Sequence, residues 1–310
     1  MSLRRQLLNL CLRWTEKPLL SRASPLMLRR LLEVQARLFF RGPRGIQADW
    51  RAFPNGPRAL WLTPSRLGPR VILYIHGGGF VIGSPQTHRA MLAQLSSSTA
   101  ARVVLPTYAR VPEARFPAAS MDVRAAWDGL ISEGINPVDI VIGGDSAGGA
   151  LVFDLLAQLC HEGAALPAAA FGLSPLLDMT FSGDSFNQNA RNDVLLPAHR
   201  AAEVTRLYLD GAPAADPRPS PLFADFTGAP AVWLTVSDTE ILRDDSLRMA
   251  ARLEAFKVPV TLCVEHDLPH VWPLFHDYLP EARQTLAALA EWINALPFAP
   301  HGAPDQAGEN

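Results

Sequence analysis

The 310-residue chain has little cysteine: Cys11, Cys160 and Cys263. Three widely spaced thiols exclude a disulfide framework and a cysteine zinc site, and read as reduced. No Asn-x-Ser/Thr sequence occurs. No apolar run reaches the roughly eighteen residues a transmembrane helix needs. The chain also lacks His-Glu-x-x-His, Cys-x-x-Cys, a P-loop, a dinucleotide glycine fingerprint and a Ser-x-x-Lys. It therefore calls for no metal and no organic cofactor.

A strong net charge is missing too. At −2 the whole molecule offers no field that would draw nucleic acid. The charge is uneven, however: residues 1–51 carry eleven Lys/Arg against three Asp/Glu, while the remainder is net acidic. A basic leader has membrane, nucleic-acid and targeting readings. The targeting reading fails because the apolar run 7–12 is short, is interrupted by Asn9, is followed by Arg13, and has no small-residue cleavage site after it. The expectation is a pair of amphipathic helices packed on the domain, with leucines and Trp14 inward and arginines on the wet face. No nucleic-acid partner and no stable membrane association follow from it, and a cytoplasmic location is the simplest fit.

What is present is a regular alternation. With 48% hydrophobic residues the chain can build one large core. Residues 1–40 read as helical, with breaks near Pro18 and Pro25, and residues 45–63 as short strands joined by turns. Strands are expected at 71–75, 102–105, 139–142, 168–173, 231–236 and 258–264. Helices are expected at 87–98, 120–131, 150–159, 198–209, 246–256 and 281–296. Such alternation predicts an α/β fold with a mostly parallel central sheet and helices on both faces. Residues 176–228 are the least regular part, and 299–310 read as a disordered tail. There is no internal repeat and no interdomain linker.

The chemistry centres on Gly144-Asp145-Ser146-Ala147-Gly148-Gly149, between the strand at 139–142 and the helix at 150–159. Glycine on both sides of a serine at a strand-to-helix turn is the pattern of a nucleophile elbow. The serine must stand on a strained turn with its hydroxyl clear, and side chains at Gly144 and Gly148 would clash with neighbouring elements. A serine hydroxyl needs a base. His270, in Leu268-Pro269-His270-Val271-Trp272 just past the strand ending at Val264, is the candidate. His266 is its competitor, nearer the strand end. The acid that would orient the histidine is expected in the loop after 231–236, where Asp238, Glu240, Asp244 and Asp245 all stand. Spacing alone does not choose among them. His76-Gly77-Gly78-Gly79 follows one strand and precedes a helix, so the amides of Gly78, Gly79 and Ala147 are candidates to hold an oxyanion.

These motifs carry a resemblance. His76-Gly77-Gly78-Gly79-Phe80, Tyr108-Ala109-Arg110-Val111-Pro112-Glu113, Phe116-Pro117-Ala118 and the Ser146 elbow together resemble the hormone-sensitive-lipase family of bacterial carboxylesterases, also called family IV. The resemblance spans roughly residues 45–295. It implies an α/β-hydrolase domain over 46–298, a helical cap from residues 1–45 with a contribution from 176–228, and a serine esterase acting on short to medium acyl esters. It also implies a structural role for Glu113. Two departures stand out. The family's acid motif Asp-Pro-Leu-x-Asp reads Glu240-Ile241-Leu242-Arg243-Asp244 here, which puts glutamate in the acid position. Its Tyr-Arg-Leu-Ala-Pro-Glu reads Tyr108-Ala109-Arg110-Val111-Pro112-Glu113. The triad implied is thus Ser146, His270 and Glu240. The Glu-Ile-Leu-Arg-Asp-Asp wording resembles the branch that includes monoterpene lactone hydrolases, so the partner expected is a small-molecule ester or lactone; a homodimer stays open. Phe80, Met179, Phe181, Leu195 and Leu196 are candidates for the pocket walls, with core packing the favoured role for each.

Overall fold

The apolar runs of the sequence become the centre of one sheet. In the computed structural model, which describes residues 2–297, every residue of Val71–Ile75 is buried. The tail expected at 299–310 lies outside the described residues. Helices α1 (Leu3–Trp14), α2 (Glu16–Arg22) and α3 (Pro25–Phe39) lead into the hairpin β1 (Ile46–Ala52) and β2 (Arg58–Pro64). Strands and helices then alternate: β3 (Val71–Ile75), α4 (Pro85–Thr99), β4 (Arg102–Pro106), α5 (Ala118–Ser132), β5 (Ile140–Asp145), α6 (Ser146–Glu162) and β6 (Ala169–Leu173). The irregular stretch holds only α7 (Ser185–Gln188), α8 (Ala201–Leu209) and short 3₁₀ turns. The strands β7 (Val232–Ser237) and β8 (Val260–Glu265) alternate with α9 (Arg243–Ala255) and α10 (Pro280–Ala295) to finish the chain.

The sheet order is β1-β2-β4-β3-β5-β6-β7-β8. β1 and β2 pair antiparallel, as do β2 and β4; every pairing from β4 to β8 is parallel. The strands β3, β5, β6 and β7 are buried along their whole length because helices cover both faces. Alternate residues separate cleanly into two cores. Ile72, Tyr74 and Phe171 pack with Leu92 of α4 and Leu289 of α10 on one face. Leu73, Ile75 and Leu234 pack with Trp127 of α5, Leu156 of α6 and Leu253 of α9 on the other. Parallel strands end together, so the chain segments after β3, β5, β7 and β8 gather at one edge of the sheet.

The leader differs from expectation in two ways. Pro25 starts α3 as expected, at its first position, with the Ser24 side chain accepting the Met27 amide. The earlier break falls at Thr15 instead of Pro18, and Pro18 sits in the first turn of α2, where a missing N–H breaks no helical bond. Second, α1 lies the other way round. It buries Arg5, Asn9 and Leu12, and leaves Leu3, Leu7, Leu10 and Trp14 in solvent. The reason is its docking site. Arg5 Nη1 donates to the His266 carbonyl at 2.8 Å and Asn9 Nδ2 to the Asp267 carbonyl at 3.0 Å. A surface of carbonyls and the Asp267 carboxylate demands donors, and a leucine face could not satisfy it. No helix among the described residues is long and apolar enough to cross a membrane.

Candidate active site

β5 delivers Asp145, and the chain turns into α6 at Ser146 with φ 50°. That left-handed conformation costs a non-glycine residue about 1–2 kcal/mol. The turn holds because three segments cross within atomic contact. A Cβ on Gly148 would stand 2.1 Å from the Ile75 carbonyl oxygen, and one on Gly144 2.7 Å from the same atom. Glycine at both positions is a packing requirement.

His270 lies beyond β8 and is buried. Its Nδ1 is 2.5 Å from Glu240 Oε2. Glu240, itself 1% exposed, is fixed through its other oxygen: Oε1 accepts from the Ser174 hydroxyl and the Ser237 amide, both at 2.8 Å. The opposite ring nitrogen, His270 Nε2, is buried and has no hydrogen-bond partner among the described residues. His270 and Ser146 line the same cavity. Ser174 and Val271 also have positive φ, 47° and 51°. Backbone strain thus collects on the serine, on the residue after the histidine and on a residue that grips the acid. Burial alone would depress the His270 pKa, but the facing Glu240 carboxylate outweighs it and raises the value above that of an ordinary imidazole.

The rival residues are occupied elsewhere. Asp238 accepts from His266 Nδ1 at 2.6 Å and from the Asp267 amide at 2.9 Å, and this pair lies on the surface. Asp244 holds the Ser185 amide and Arg243. Asp245 accepts the Leu177 and Asp178 amides; burial pushes its carboxyl up to about 7. None of the three touches His270.

Sequence reasoning missed the residues that hold the acid turn in place. Asn189 Nδ2 donates to the carbonyls of Asp238 and Glu240, Asp193 Oδ2 accepts the Ile241 amide, and Ser185 Oγ donates to the Ile241 carbonyl. The irregular stretch 176–228 is therefore the brace of the acid turn. It is braced in turn by the leader: Lys17 Nζ donates to the carbonyls of Ala190 and Asp193.

A second buried network ties the glycine loop to the elbow. Asp145 Oδ1 accepts from the Tyr74 hydroxyl at 2.8 Å and the Gly77 amide at 2.9 Å, and His88 Nε2 lies 3.2 Å from it. Burial pushes the Asp145 carboxyl up, but His88 and Tyr74 outweigh it and hold the value below the ordinary range. The Gly77 amide is thus spent on Asp145. Gly78 follows with φ 117°, where a Cβ would meet the Ile82 oxygen at 2.2 Å, and both Gly78 and Gly79 line the cavity beside Ser146. Ala147, fully buried, follows Ser146 at the start of α6. His76 stacks on Tyr108 at 4.3 Å, and burial lowers its pKa to about 3, so it stays neutral. Glu113 grips Arg29 of α3 with both oxygens, at 2.7 and 2.9 Å. The same guanidinium donates to the carbonyls of Val81 and Val111. Glu113 therefore acts through Arg29, linking α3 to the loop after the glycines.

The cavity has a volume of about 1110 Å³ and is walled mainly by apolar side chains of α1, α3, α8 and the stretch 176–207. Phe181, Leu195 and Leu196 are among them. Phe80 and Met179 are not. Phe80, with φ 59°, turns its ring away to stack on Tyr208 at 3.7 Å, and Met179 is buried in the core beside it. These two take the core role favoured from the sequence, while Phe181, Leu195 and Leu196 reach the cavity.

A strained serine between glycines, a buried histidine–glutamate pair and a glycine loop at the carboxyl edge of a parallel sheet define a serine hydrolase of the α/β type. The comparisons agree. The profile of the alpha/beta hydrolase fold matches residues 72–274. An acetyl-hydrolase of Streptomyces hygroscopicus is 35% identical over 235 residues, 76% of this chain and 79% of that protein. An esterase of Acinetobacter venetianus is 33% identical over 274 residues, covering 88% and 90%. The crystal structure of an esterase from the bacterial hormone-sensitive lipase family superposes with a TM-score of 0.90 at 36% identity, covering 96% of this chain and 99% of that one. The chain belongs to the hormone-sensitive-lipase family of α/β-hydrolases. It is an ester-cleaving serine hydrolase.

Proposed function

We propose that Ser146, His270 and Glu240 form the triad of this carboxylesterase, with the amides of Gly78, Gly79 and Ala147 as its oxyanion hole. The observation that carries the reading is the buried Glu240–His270 pair: His270 lines the same cavity as Ser146 and its Nε2 has no partner among the described residues. Ser146 Oγ attacks the ester carbonyl carbon while His270 Nε2 takes its proton. Charge moves onto the carbonyl oxygen, which the three amides would stabilise; each such donor is worth about 2.7–4 kcal/mol in the transition state. The tetrahedral species collapses, the alcohol leaves with the proton from His270, and an acyl-Ser146 ester remains. Water then attacks that ester, His270 accepts its proton, and the acid departs as Ser146 recovers its hydrogen.

Residues 1–45, with 176–228, act as the cap over a catalytic domain spanning 46–298. The substrates are small esters of short to medium acyl length. The name of the acetyl-hydrolase relative supports the short end, and the apolar lining supports an acyl chain longer than acetyl. A lactone is a cyclic ester and needs no further group, so it remains the second substrate class. All the proposed catalytic groups come from one chain, so a homodimer is not required for turnover. The three cysteines are free, which supports a cytoplasmic location. A series of p-nitrophenyl esters of increasing acyl length, run beside a lactone, tests the substrate reading. Turnover should peak among the short to medium esters. A lactone preferred over every ester would reverse the order.

A further inference from the structure

The leader exposes an apolar face that nothing among the described residues covers. On α1, Leu3, Leu7, Leu10 and Trp14 recur at helical spacing along one side, and Trp14 is 73% exposed. On α3, Leu26, Met27, Val34, Leu38 and Phe39 are each at least half exposed. Helix α1 is held to the domain by the opposite side, through the hydrogen bonds of Arg5 and Asn9 and the packing of Leu8 and Leu12. The fold therefore keeps the apolar stripe free.

Along residues 4–44 the exposed charge has one sign. Seven arginines between Arg4 and Arg44 are exposed, whereas Glu16 and Glu33, the carboxylates of that stretch, are not. The rest of the molecule is net acidic. The face also rims the substrate cavity: Leu7 and Phe39 belong both to the exposed stripe and to the lining that contains Ser146 and His270.

We propose that this face docks the enzyme peripherally on an anionic phospholipid bilayer, with α1 and α3 at the headgroup boundary and the cavity mouth turned to the membrane. The partner must supply apolar depth and negative charge together. A bilayer rich in anionic lipid does so, and a tryptophan with arginines beside leucines is suited to that boundary. A second copy of this chain would bring arginines against arginines across a two-fold axis. The acidic remainder of the molecule would be repelled by the same membrane, which fixes the orientation. The sequence-based expectation of no stable membrane association rested on leucines and Trp14 turned inward, and Leu3, Leu7, Leu10, Trp14, Leu26 and Leu38 are turned outward. The docking does not depend on the assignment of the triad.

The test is flotation of the full chain with vesicles of phosphatidylcholine alone and of phosphatidylcholine with phosphatidylglycerol. Binding should be confined to the anionic vesicles and fall as salt rises. Leu10→Ser with Trp14→Ser should weaken it at least about tenfold, since two apolar anchors are lost. Neither residue lines the cavity, so hydrolysis of a soluble p-nitrophenyl ester should be unchanged and will report a folded protein. Arg30→Glu with Arg37→Glu gives an independent reading and should also weaken binding at least about tenfold. Equal binding to neutral vesicles, full binding by either variant, or no binding by the native chain would overturn the proposal. So would a native dimer that the Leu10/Trp14 change dissociates, because a second copy would then cover the stripe.

Discussion

Glu240 holds His270 by one carboxylate oxygen, Oε2 at 2.5 Å from Nδ1, while Ser174 and Ser237 hold the other. The acid is therefore locked at both ends. Replacing it with the amide keeps its shape but sets an NH₂ or a weaker acceptor against Nδ1. In the serine-protease triad the comparable change costs about 10⁴ in turnover. For Glu240→Gln we predict a loss of at least about 10², with the fold retained by circular dichroism. Asp238→Asn, which disturbs only the surface pair with His266, should stay within about fivefold of the native rate. A crippled Asp238→Asn beside an active Glu240→Gln would reassign the acid.

The same contact sets the pH profile. In the proposed triad, turnover needs neutral His270, and Glu240 favours its protonated form, so the pKa is raised. With falling pH, kcat/KM should therefore drop through an inflexion above the ordinary imidazole value of about 6.5. In Glu240→Gln the residual activity should have its inflexion at lower pH, because the stabilising charge is gone. Profiles of kcat/KM on a neutral ester decide it. An inflexion below the ordinary value, or one that the substitution fails to move, would show that Glu240 does not govern His270.

The elbow was legible because its chemistry is a backbone constraint. Gly144 and Gly148 are fixed by a neighbouring carbonyl at 2.7 and 2.1 Å from where a Cβ would sit, and such constraints leave glycines at fixed spacing. The carboxylate that faces His270 could be singled out only by register, since four carboxylates share the loop and their partners are distant in sequence. The brace of Asn189 and Asp193 on the acid turn joins residues some fifty positions apart and follows no periodicity, so nothing local announces it. The helices of the leader were legible from their leucine spacing. Which side they bury was not, because that depends on the carbonyls at His266 and Asp267 against which α1 docks. The choice between core and pocket was equally out of reach for Phe181 and Phe80: the stack of Phe80 on Tyr208 depends on a residue far along the chain.

Packing at the elbow gives a stability prediction separate from catalysis. In Gly148→Ala the new methyl meets backbone on Ile75 and His76, which cannot swing aside as a side chain can. Overpacking of this kind costs about 1–3 kcal/mol, and occasionally more. The variant should melt clearly below the native protein or fail to accumulate as a folded protein. Ser146→Ala removes one oxygen and adds nothing, so it should melt close to the native temperature. Thermal unfolding of the two side by side separates them. A Gly148→Ala protein as stable as the native one would contradict the close crossing of β3 and α6.

The central claim is that Ser146 is the nucleophile, and covalent trapping tests it most directly. A fluorophosphonate should react once per chain, with loss of esterase activity in proportion to labelling. Peptide mass spectrometry should find the adduct on Ser146, and Ser146→Ala should be neither labelled nor active. Full inactivation with the adduct on another residue, or ester hydrolysis that persists in Ser146→Ala, would contradict the account.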